Sequence, residues 1–151
     1  MKFLMFTTLA LLMGLLAGCN PLSLKPADFG WPVESVLKAD SKGMVQENRY
    51  QLSFNVRPMF FAETGDSSNV SVSVRVIRDR AGYYFISAPG FKHVYVFGTG
   101  DGALTLESKI LISESGMTSP AFNARPPHVQ LLNGSDKPRM LTKSGIQEGG
   151  K

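Results

Sequence analysis

The sequence predicts an all-β fold: an antiparallel β-sandwich, immunoglobulin-like or related, of about six to eight strands, with a small β-barrel as the alternative. Three observations predict it. Apolar and polar residues alternate at period two through the middle of the chain, as they do in strands with one wet face. Clusters of Gly, Pro, Asp and Ser break these runs, so that strand starts recur near residues 49, 70, 83, 91 and 104. No helical pattern of convincing length follows residue 19. With 43% hydrophobic residues among 151, the chain has enough apolar surface for one packed core, which excludes a wholly disordered protein. Its single cysteine excludes an intrachain disulfide framework, a cysteine zinc cluster and an iron–sulfur site.

The first segment is an address. Met1 and Lys2 precede an apolar stretch from Phe3 to Ala17, shorter than the roughly 20 residues a helix needs to cross a bilayer. It ends in Leu16-Ala17-Gly18-Cys19, small residues before the one strongly nucleophilic thiol. These four residues and their spacing from the charged start resemble the lipobox of bacterial lipoprotein precursors. The resemblance implies cleavage between Gly18 and Cys19, lipidation of the Cys19 sulfur and acylation of the new amino group. Two or three acyl chains hold a protein firmly on a bilayer. Asn20 stands where the enterobacterial sorting rule would need Asp for inner-membrane retention. The resemblance therefore implies the periplasmic face of the outer membrane, with the inner membrane or the cell surface as alternatives.

Four stretches follow from this reading: residues 1–18 as signal peptide, 19–30 as lipidated cysteine and tether, 31–132 as the β-sandwich domain, and 133–151 as a flexible tail. The tether contains Pro21 and Pro26, and Trp31 opens the domain. Glu34–Ala39 is expected as an extended segment. In Arg49–Arg57, Tyr50, Leu52, Phe54 and Val56 share one face, and Val70–Arg78 alternates through four valines. Tyr83–Ser87 and Phe91–Phe97 are apolar on both phases, as in strands covered on both sides. Leu104–Ile112 alternates again, and His128–Leu132 reads as the last strand. Met117–Pro127 reads as loop, and Asn133–Lys151, rich in glycine and basic residues, as a mobile tail.

Little in the chain points to chemistry. His93 falls within an apolar run and reads as a packed or rim residue with one hydrogen bond. His128 follows two prolines, and neither histidine has a partner at a recognisable spacing. Gly98-Thr99-Gly100-Asp101-Gly102 lacks the following helix of a phosphate loop and the oxygen ligands of a calcium loop, so it reads as a hairpin turn. No catalytic residue, metal or cofactor is expected. The net charge of +4 is too modest for nucleic-acid binding. Arg49, Arg57, Arg75, Arg78 and Arg80 form a basic stripe if their strands pair; a solvated face whose charge prevents edge pairing is the preferred reading, and a face for lipid headgroups or an acidic partner the alternative. Phe60, Phe61, Tyr83, Tyr84 and Tyr95 are the candidate ligand or partner contacts, although Phe60 and Phe61 read more readily as loop residues covering the core. The expectation is a non-enzymatic, membrane-anchored lipoprotein, a binding or assembly accessory subunit with a protein partner in the cell envelope. A glycan-, lipid- or peptide-binding module is the alternative, and an envelope hydrolase the least favoured reading.

Overall fold

The computed structural model of the chain describes residues 33–68 and 72–147. The signal, Gly18, Cys19, the tether and Trp31 lie outside the described residues. The fold is all-β and sandwich-like. Among the described residues, eleven strands and one short helix make three open antiparallel sheets, more strands than the six to eight expected.

The central sheet has the order β1-β4-β5-β6-β7, from strands β1 (Ser35–Leu37), β4 (Val74–Arg78), β5 (Tyr84–Ser87), β6 (His93–Gly100) and β7 (Ala103–Leu111). Register sorts its side chains. Val76 opposes Ile86, Ile86 opposes Tyr95 and Tyr84 opposes Phe97, so these residues share one face. Ile77, Phe85, Val96 and Val94 with Ile110 share the other. Both faces are buried, which explains why the sequence is apolar on both phases in β5 and β6.

The second sheet, β11-β10-β9-β8, covers one of these faces, which is the inner face of the sandwich. It consists of β8 (Pro120–Arg125), β9 (His128–Asn133), β10 (Arg139–Thr142) and β11 (Gly145–Gln147). Its buried residues Phe122, Val129, Leu131 and Leu141 belong to the same core as Phe85 and Val94. The first described residue, Val33, bridges to Asn123 of β8 before the chain enters β1 of the central sheet. Glu34 fastens this crossover by pairing with Arg75 on β4 and accepting from the Phe122 amide at 2.8 Å.

The opposite, outer face of the central sheet carries the hairpin of β2 (Met44–Glu47) and β3 (Leu52–Asn55), followed by helix α1 (Arg57–Thr64). Three expectations are corrected here. The Arg49–Arg57 run gives a four-residue strand and then a helix, because Pro58 falls in the first helical turn, where its missing N–H costs nothing. Met117–Pro127 is not all loop, since β8 lies within it and pairs with β9 along six residues. The described part of the expected tail, 133–147, is not mobile: Leu141 is fully buried in β10, and β11 pairs with β10 as far as Gln147.

Candidate functional site

A cleft of about 750 Å³ opens between the β2–β3 hairpin and the outer face of the central sheet. Its position follows from local sequence. The alternation in β3 turns Leu52 and Phe54 toward the sheet, because they oppose the buried Glu47 and Val45 of β2. The same alternation in β5 and β6 presents Tyr84, Ile86 and Phe97 from below. Tyr50 meets Tyr84 edge to face, with ring centroids 5.5 Å apart, and closes one end. Pro58 and Met59 at the start of α1 form a side wall. The β6–β7 hairpin borders the other end, the mouth, with Thr99, Asp101, Ala103 and Leu104.

That hairpin uses a two-residue turn of the primed type. Gly100 pairs with Ala103, and Asp101 and Gly102 both have positive φ, at 48° and 76°. Aspartate and glycine are among the residues that accept this geometry most readily. The turn places one exposed carboxylate at the mouth of a cleft whose other described lining residues are uncharged. A volume of this size and a lining dominated by Tyr, Phe, Leu, Ile and Met are typical of sites for small apolar ligands.

A polar cluster lies beyond the cleft, where α1 ends against β6. Glu63 on α1 has a side chain only 1% exposed. Its Oε1 accepts from the Tyr95 hydroxyl at 2.6 Å and pairs with His93 Nδ1 at 2.9 Å. Its Oε2 accepts from the Lys92 amide at 2.6 Å. Burial opposes the charge on Glu63, but these three donors outweigh burial and hold its carboxyl below the ordinary carboxylate range. Burial, and then the neighbouring carboxylate, push the Tyr95 hydroxyl upward. The cluster ties a helix to a strand. His93 is a half-buried rim residue with this single side-chain hydrogen bond among the described residues.

The arginines do not make one stripe. Arg75 and Arg78 are three residues apart on β4 and so lie on opposite faces. Arg75 pairs with Glu34, whereas Arg78 lies over the rings of Tyr50 and Tyr84, at 6.0 and 5.5 Å from their centroids. Arg49 pairs with the buried Glu47 and bonds to Ser35 and the Val33 carbonyl, clasping the hairpin to β1. Arg57 donates to the Ser41 carbonyl at 2.7 Å. Arg80 is exposed in the β4–β5 turn, beside Pro126 and Pro127.

The aromatic candidates also separate. Phe60, Tyr84 and Tyr95 are buried and belong to the core, so they offer no open contact surface, although Tyr84 borders the cleft. Tyr83 is half-buried and accepts from Lys143 Nζ at 2.8 Å. Phe61 is 62% exposed on the outer side of α1. His128 begins β9, opposite Arg125. Leu52, Met59, Ile86, Phe97, Leu104 and Asp101 were not expected as site residues. The alternation put Leu52 and Phe54 on one face, but it carried no sign of what that face meets.

Among the described residues, no group of three His, Cys, Asp or Glu side chains is placed to hold a metal ion. No helix among them is long and apolar enough to cross a membrane. Compared with known proteins, the chain matches no family model, no curated protein and no solved structure.

Proposed function

We propose that the chain is a lipid-anchored bacterial envelope protein, held by an acylated Cys19, whose β domain is a non-enzymatic binding module. The aromatic and aliphatic cleft above the central sheet carries this reading. A protein does not ordinarily leave Leu52, Phe54, Phe97 and Leu104 half-buried along one cavity when small shifts of a hairpin would close it. A bound apolar group restores that burial and draws on the hydrophobic effect, about 25 cal/mol per Å² of apolar surface covered. The cleft shifts weight from a docking subunit toward the ligand-binding alternative. The sequence supports the anchor through Leu16-Ala17-Gly18-Cys19.

Each half has its own test. Cys19→Ala is expected to abolish metabolic palmitate labelling and leave the precursor uncleaved; normal processing and membrane retention of this variant would refute the anchor. The full chain is expected to enhance the fluorescence of an uncharged naphthylamine dye, and Leu104→Arg, which sets a charge in the cleft wall, to lose that signal while keeping the wild-type melting profile. Equal dye binding by wild type and this variant would refute the cleft as the site.

A further inference from the structure

The lining of the cleft is specific enough to name the chemistry of its occupant. Among the described residues, Asp101 is the sole acidic residue lining the cleft, and no lysine, arginine or histidine lines it. Asp101 is exposed, and no hydrogen bond or ion pair engages its carboxylate among the described residues. Of the arginines near the Tyr50 end, Arg49 is clasped to Glu47, and Arg78 lies against the Tyr50 and Tyr84 rings without lining the cleft. The amide of Asn55 is also committed, donating to the Lys42 carbonyl and accepting from the Arg57 N–H. Few convergent polar groups therefore remain for a saccharide, which needs many. An anionic headgroup would meet no cation at the mouth and one like charge.

We propose that the cleft takes a single-chain amphiphile with an aliphatic body and a cationic, amine-type head. The chain lies between Phe97 and Leu104 below and Leu52 and Phe54 above, and the head meets Asp101 at the turn. The proposal rests on the binding-module reading and specifies its ligand class. Charge complementarity carries it, because the one charged lining residue among the described residues lies where an apolar chain would emerge.

Photolabelling of the full chain in membranes tests it. Two diazirine probes share the same alkyl chain, one ending in an amine and the other in a carboxylate, and labelled peptides are located by mass spectrometry. The readout is label on the peptides holding Leu52–Met59 and Phe97–Leu104 relative to label elsewhere on the chain. An exposed charge gained for one probe and a like charge met by the other give an expected amine preference of about fivefold. Asp101→Asn keeps a residue that suits the turn and is expected to bring the preference close to one. Equal labelling by the two probes, a carboxylate preference, or a preference that survives Asp101→Asn would overturn the amine assignment while leaving the cleft a binding site. Absence of label from both peptides with both probes would overturn the binding-module reading itself.

Discussion

Glu63 concentrates the tertiary order of the outer layer into one side chain. A buried carboxylate with three donors is stable only while it is ionised and all three remain in place. Its carboxyl is held below the ordinary value of 4.5, so its stabilisation is complete above that value and disappears as pH falls toward the lower, folded one. Glu63→Gln is therefore expected to lose about 1–3 kcal/mol in denaturant melts at neutral pH. The gap to wild type should narrow on acidification below pH about 4; a gap constant with pH would show that Glu63 acts by packing alone. Tyr50 is the opposite case. Its hydroxyl is shielded from solvent without a partner among the described residues, and burial pushes it upward. Tyr50→Phe is expected to change stability by less than about 1 kcal/mol, in either direction. A large loss would reveal a hydrogen bond at that hydroxyl. At Gly116, φ is +86° and a Cβ would lie 2.7 Å from the Gly90 carbonyl oxygen. Gly116→Ala is expected to cost at least about 1 kcal/mol in thermal melts, because both the backbone angle and the paired loop must yield.

At the scale of elements, what the sequence revealed depended on how far strand chemistry alone decides conformation. Strand β5 falls within its expected run, and β6, β7 and β9 overlap theirs, with β6 running three residues further to Gly100, because alternating or continuously apolar β-branched and aromatic residues have few other ways to be buried. Helix α1 was not legible. Eight residues make barely two turns, Val56 supplies no side-chain cap, and only Met59 and Phe60 are buried, so no helical stripe emerges from Arg57–Thr64. Strand β8 hides behind Pro120, Ala121 and Ala124, residues of low strand preference that are held by pairing with β9. The β10–β11 hairpin is similar: a few apolar residues among Gly, Lys and Arg look solvated until Leu141 is seen opposite Val129. Leu141→Ala is expected to cost about 2–5 kcal/mol by the lost transfer energy and the cavity left behind. An unchanged melting temperature would show that the hairpin is not part of the cooperative unit.

For the whole molecule, the arrangement explains why a site could form without any catalytic motif in the sequence. Among the described residues, the central sheet is covered on its inner face by a four-stranded sheet and on its outer face by a two-stranded hairpin and one short helix. Two strands cannot cover five, so the outer face is closed where Tyr50 and Glu63 fasten it and open between them. The site residues come from four separate stretches of chain, and their convergence depends on strand order, which alternation does not encode. The turn at Asp101-Gly102 was legible as a turn, yet the place of its carboxylate beside an apolar cleft was not. An anchor at Cys19 would keep such a cleft near a membrane surface, where amphiphiles are concentrated. The most direct test of the central claim is methyl NMR of the full chain titrated with an uncharged long-chain alcohol. Shifts confined to Leu52, Met59, Ile86 and Leu104 are the predicted result. Shifts centred instead on the exposed Val36 or Leu111, or no saturable shifts at all, would contradict it.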